Sequence, residues 1–278
     1  MQILKNVMTA NSDAERFQRE AQKYAAYLET PEGRLRLDLP FSTLEEFLPK
    51  ATDSLQALDL GGGTGANAVR LARLGFRVTL LDPSPPMLHL AERAALRAGV
   101  TDMIVLMHGN AGQLASLCKE GSFDLILCHN VLEFVDDPQA VLCSAAHVLK
   151  DSSSIISVLM RNQTGEVFKA ALLSGDLTAA ERNLTADWAD ESLYGGKVRL
   201  STAGSLRAML QQASFAVTAE RGVRVLADYL PANVSRDQEY TRILALEQIL
   251  GRRPEFAAVA RYTHCVAHRT GAGIKDSA

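Results

Sequence analysis

Residues 55–65 read LQALDLGGGTG, and the next apolar run, RVTLLD, closes on Asp82. Leu55–Leu60 has the length and apolar content of a buried strand. The glycines at 61, 62, 63 and 65 then lead into ANAVRLARL, which carries helical spacing from Ala66 to Leu74. Glycine lets a backbone turn sharply and approach a ligand with no Cβ in the way. A strand, a glycine loop, a helix and a second strand ending in a carboxylate make one βαβ unit with a ligand site at the carboxyl edge of its sheet. A carboxylate placed like that of Asp82 can accept hydrogen bonds from both hydroxyls of a ribose. Gly61, Gly63 and Ala66 also satisfy G-x-G-x-x-G/A, so the loop alone leaves a dinucleotide such as NAD open.

The same rhythm continues downstream. Helices are expected over Pro86–Ala98 and Pro138–Leu149, the latter with proline in its first turn. Strands are expected at Ile104–Gly109, Phe123–Asn130 and Ser154–Met160. Beyond Met160 the pattern turns mixed and polar, with helical patches at Val167–Leu173 and Ala179–Asp187. Helical spacing returns at Leu206, Met209 and Leu210. Late strands are expected at Ala216–Leu226 and Ala260–His268, around a helix near Gln238–Leu250. Strands alternating with helices imply an α/β fold with a mainly parallel sheet and helices on both faces. The expected division is an N-terminal helical segment over 1–50, a core over 51–270 with a variable segment at 161–200, and a short tail over 271–278.

Bulk properties narrow the classes of function. The 278 residues carry 29 Lys and Arg against 32 Asp and Glu, a formal net charge of −3. Contact with a polyanion would therefore need a local patch rather than an overall basic charge. The opening MQILKNVMTA lacks the apolar core of a secretory signal, and no run approaches the 18 apolar residues of a membrane helix. Cys118, Cys128, Cys143 and Cys265 show no paired spacing, which argues against a zinc site or disulfide scaffold and suits a reducing cytoplasm. His264 and His268 are four apart. On a strand that is about 13 Å, too far to share one ion, so no metal is expected.

FDLILCHNVLEFVDDP (123–138) resembles the fourth-strand motif of the class I S-adenosylmethionine-dependent methyltransferases, and together with LDLGGGTG and the strand-ending Asp82 the resemblance covers residues 55–160. It implies the Rossmann-like class I fold with a seven-stranded sheet, and S-adenosyl-L-methionine as cofactor in place of NAD. It places Asp59, Gly61, Gly62 and Gly63 near the methionine part of the cofactor and Asp82 at the ribose. Pro83 through Met87, with Ala111 and Gly112, fall near the adenine. His129 sits where the methyl donor faces its acceptor. The family's Pro-Gly-Gly turn before the fifth strand is replaced by KDSSS (150–154), which can turn through side-chain hydrogen bonds.

Further segments are similar to one subfamily, the bacterial tRNA 5-carboxymethoxyuridine methyltransferases: PEGRLR (31–36), CHNVLEF (128–134), GVRV (222–225) with DYL (228–230), and RYTH (261–264). On that resemblance Arg36 meets the cofactor carboxylate, and the acceptor is a carboxylate on the wobble uridine of tRNA. An ionised carboxylate is already a nucleophile, so no catalytic base is implied and positioning does most of the work. Arg224 and Arg261 are candidates for a cationic clamp on that carboxylate, with Tyr229 and Tyr194 as contacts to the base; each arginine could equally be structural and ion-paired. Where relatives carry a lysine-rich stretch, residues 181–191 (ERNLTADWADE) are acidic and oppose RNA phosphate. A small-molecule acceptor is the alternative. Trp188, in the variable segment, would either cover the site or anchor its own element.

Overall fold

The computed structural model describes residues 19–49, 55–191, 193 and 195–270. Tyr194, the tail over 271–278 and the first part of the N-terminal segment lie outside them. Elements follow in chain order as α1 (Pro31–Glu45), β1 (Gln56–Leu60), α2 (Ala66–Arg73), β2 (Arg77–Asp82), α3 (Pro85–Ala98), β3 (Ile104–His108), α4 (Leu114–Leu117), β4 (Leu125–His129), α5 (Pro138–Val148) and β5 (Ile155–Arg161). The variable segment holds α6 (Gln163–Phe168), a π-helical turn at Lys169–Leu173, α7 (Leu177–Asn183) and the strands β6 (Trp188–Asp190) and β7 (Lys197–Arg199). The chain ends with α8 (Ala203–Gln212), β8 (Phe215–Val223), α9 (Tyr240–Gly251), α10 (Pro254–Ala257) and β9 (Tyr262–Arg269).

Seven strands form one sheet in the order β3-β2-β1-β4-β5-β9-β8. β1 through β5 pair in parallel, and β9 runs antiparallel to both β5 and β8. The order reverses between β1 and β4, and ligands of open α/β sheets bind at such a switch point. Each face carries its own core. Leu58, Ile126, Ile156 and Cys265 pack under α5 and α8 through Leu142, Ala145, Leu206 and Leu210. Ala57, Leu80, Leu125 and Val266 pack under α1, α2 and α3 through Phe41, Leu44, Leu71 and Ala91. Thus part of the N-terminal segment is built into the core.

The helix starts follow local chemistry. Thr30, Ser84 and Asp137 cap α1, α3 and α5, each followed by proline within the first two helical positions. β8 ends where Arg224 takes the left-handed φ of 60°. β9 sends successive side chains to opposite faces, Cys265 and Ala267 into one core and Val266 into the other, and Tyr262 through Ala267 are all buried because the strand lies between β5 and β8 with helices above and below. Residues 188–199 hold an antiparallel two-stranded ribbon that polar composition did not announce, with Trp188 paired to Arg199.

Candidate functional site

A crevice of about 520 Å³ opens at the carboxyl ends of β1, β2 and β4, within the roughly 300–1,000 Å³ usual for small-molecule sites. The glycine loop forms its floor. Gly61, Gly63 and Gly65 hold left-handed φ values of 66°, 53° and 78°. At Gly62 a Cβ would come within 2.5 Å of the Leu80 side chain and 2.8 Å of Asp59 Oδ2, so only glycine fits that turn. Gly61 and Gly65 are as tightly held, with a Cβ meeting the Val131 side chain at 2.6 Å and the Ala91 Cβ at 2.9 Å.

Two buried carboxylates stand under the loop. Asp82 Oδ2 accepts the Gly63 N–H at 2.9 Å and Oδ1 accepts the Ser84 N–H at 2.8 Å, tying the loop to the end of β2. Burial pushes the Asp82 carboxyl up to about 6 against these two bonds. Asp59 is pushed up to about 7, first by burial and then by repulsion from Asp82, while the Ala68 N–H works the other way. Its Oδ2 is buried without a donor. Two acids that resist ionisation, one with an orphaned oxygen, form a site prepared for donors or positive charge.

Arg36 enters from α1. Its Nε–H donates to Asn130 Oδ1 at 2.8 Å, and the guanidinium lies 5.5 to 5.8 Å from the ring centres of Tyr24, Tyr27 and Tyr262. Asn130 itself holds a left-handed φ of 55°, a conformation asparagine tolerates, and donates through Nδ2 to Glu133 Oε1 at 2.9 Å. His129 is driven down to about 3 by burial and by the positive charge of Arg36. It therefore stays neutral at any ordinary pH.

Of the residues singled out from sequence, Arg36, Gly61, Gly63, Asp82, Pro83, Met87, Ala111, Gly112 and His129 line the crevice together. Asp59 and Gly62 stand directly behind that lining. Arg224, Arg261 and Tyr229 are not brought to it. Arg224 is buried and donates to Asp228 and, at 2.8 Å, to Tyr27 Oη. Arg261 pairs with Glu166 and Asp228, both at 3.2 Å. Their charges are already neutralised inside the protein, the ion-paired arrangement among the two that the sequence left open. Tyr24 and Phe134 also line the crevice. Tyr24 lies in the polar N-terminal stretch, where no motif marks it; Phe134 stood inside the fourth-strand motif without an assigned role.

The fold and site define a class. Residues 58–157 match the family model described as Methyltransferase domain. The chain belongs to the class I S-adenosylmethionine-dependent methyltransferases, and S-adenosylmethionine is its cofactor. A tRNA 5-carboxymethoxyuridine methyltransferase from Escherichia coli is 30% identical over 247 residues, covering 86% of this chain and 90% of that protein. A ubiquinone biosynthesis O-methyltransferase from Xanthomonas euvesicatoria is 30% identical over 126 residues, 45% of this chain and 50% of that one. A methyltransferase structure from Thermotoga maritima shares the fold at a TM-score of 0.59 and 16% identity, covering 92% of this chain and 99% of the other.

The residues present suit that cofactor. Gly61 and Gly63 present backbone to the crevice, Asp59 Oδ2 waits for a donor, and Asp82 keeps lone pairs beyond its two backbone bonds. Among the described residues no helix is long and apolar enough to cross a membrane, and no group of three or more His, Cys, Asp or Glu could hold a metal ion.

Proposed function

We propose that the enzyme methylates the carboxylate of 5-carboxymethoxyuridine at the wobble position of tRNA. The observation that carries this reading is the span of the relationship to the E. coli tRNA enzyme. It runs over 247 residues, well past the cofactor half, whereas the match to the ubiquinone enzyme stops at 126. The parts of a methyltransferase outside its cofactor half are those that choose the acceptor.

When bound, S-adenosylmethionine supplies an electrophilic methyl group on a sulfonium. Asp82 accepts the ribose hydroxyls, Asp59 and the loop 61–63 hold the methionine part, and Arg36 faces its carboxylate. Pro83, Met87, Ala111 and Gly112 hold the adenine. The chemistry asked of the protein is then orientation and exclusion of water. No base is needed for an acceptor that is already anionic. His129 is ill-suited to be one: it is held down to about 3, and both ring nitrogens face other side chains. A hydroxyl acceptor would need a proton removed, and a buried imidazole this weak would not remove it.

A small-metabolite acceptor is the second reading, favoured by the exposed carboxylates of Glu181, Asp187 and Asp190. Their effect is tempered. Glu191 turns inward onto Arg161 at 2.5 Å, and Lys169, Arg182 and Lys197 line a concavity beside Trp188. Nucleoside mass spectrometry of tRNA from cells with and without the gene tests the proposal. Loss of the carboxymethoxyuridine methyl ester supports it; an unchanged profile transfers the assignment to the metabolite.

A further inference from the structure

A line of polar side chains crosses the sheet face beneath α1 and α2 and ends at the crevice. Ser157 on β5 sits between two imidazoles, its Oγ 2.7 Å from His129 Nε2 and 2.8 Å from His264 Nε2. The two rings meet edge to face, with centres 5.5 Å apart. On the far side of His129, Nδ1 lies 3.5 Å from the side-chain amide of Asn67, in the first turn of α2. Ser157 and His264 are both fully buried.

A hydroxyl has one proton, so Ser157 donates to one imidazole and accepts from the other. The two histidines therefore hold opposite tautomers, and the inner end of the line decides which. His264 Nδ1 is buried without a partner. Arg221 stands opposite His264 in the β8–β9 register; its charge disfavours further protonation of His264, and its own Nε–H is buried without an acceptor. Beside a guanidinium an unpaired lone pair is tolerable, whereas another unpaired N–H is costly. His264 thus carries its proton on Nε2 and donates to Ser157. Ser157 donates to His129 Nε2, and His129 carries its proton on Nδ1, toward Asn67. With the amide nitrogen facing the ring, Asn67 Oδ1 is buried without a donor; turning the amide over lets that oxygen accept the Nδ1–H.

We infer that Ser157 and His264 are positioning residues of the methyl-transfer site: a one-way relay from His264 through Ser157 holds the His129 imidazole in one orientation, as its Nδ1–H tautomer, at the crevice. Neither residue lines the crevice, so both act through His129. A hydrogen bond to one ring nitrogen sets the tautomer and aim of the other. The relay rests on His129 standing at the cofactor and is independent of the acceptor.

Nitrogen-15 NMR of the ring-labelled protein reads the tautomers directly. His129 is expected as Nδ1–H and His264 as Nε2–H, and the reverse pair overturns the relay. Calorimetry with S-adenosylmethionine, without any acceptor, reads the positioning. Ser157→Ala should weaken binding about tenfold and leave His129 in mixed tautomers, while Ser157→Thr stays within about twofold of the parent. Should the added methyl of Ser157→Thr disturb the core, His264→Gln, which keeps an N–H donor, serves the same comparison against His264→Phe. Equal binding by all variants, or equal loss in the conservative and disruptive variants, overturns a positioning role. An unchanged tRNA profile would leave these results standing.

Discussion

Replacing Asp82 by Asn separates cofactor binding from folding. In the parent, both carboxylate oxygens are bonded to backbone N–H groups, and burial raises the acid from 3.8 to about 6. Above pH 6 that rise is equivalent to about 3 kcal/mol of cost for holding the charge inside. The amide removes this cost but presents an N–H to a site that already contains two N–H donors, at a penalty of about 1–3 kcal/mol. The two effects nearly cancel, so the cofactor-free protein should unfold within about 6 °C of the parent at pH 7.5, given about 2–4 °C per kcal/mol for a chain near this size. Binding does not share in the cancellation. Hydrogen bonds from the ribose to a charged acceptor are worth about 1.5–3 kcal/mol each, and losing about 3 kcal/mol weakens the cofactor roughly a hundredfold. Calorimetry and thermal unfolding on the same preparation measure both quantities. Binding within threefold of the parent would refute the placement of the ribose, and a collapse in melting temperature would refute the balance of terms.

Asp59 and Asp82 titrate near 7 and 6 in the cofactor-free protein, both above their ordinary range. Their contribution to stability is therefore full below pH 4 and declines as pH rises through 6 to 7. The cationic cofactor favours the ionised acids, so its affinity should increase from pH 5.5 to 7.5 with proton release, seen as buffer-dependent heats in calorimetry. Gly65→Ala places a Cβ 2.9 Å from that of Ala91 at a left-handed φ of 78°, and should cost about 1–3 kcal/mol, read as a lower urea midpoint. Arg224→Ala leaves Asp228 partly unpaired in the interior and should lower stability by about 3–5 kcal/mol, roughly 10 °C in melting temperature. A normal melting temperature with a raised KM for the acceptor would instead return Arg224 to the clamp role.

Local periodicity determined most of the architecture by itself. RVTLLD over Arg77–Asp82 coincides with β2 at both ends, and the other expected strands of the main sheet fall within one to three residues of those observed. The glycine loop and Asp82 were equally legible, because a turn that forbids Cβ atoms and a carboxylate closing a strand are written in consecutive residues. The short β6–β7 ribbon was not, since three-residue strands carry too little pattern to stand out from polar loop. What only the tertiary structure decided is the fate of charges and rings brought together from distant parts of the chain. Whether Arg224 and Arg261 were clamps or ion-paired stayed open in the sequence until the fold laid Asp228 and Glu166 against them. Ser157 and His264, 107 positions apart, meet because β9 returns antiparallel beside β5, and no spacing along the chain encodes a contact made across a sheet.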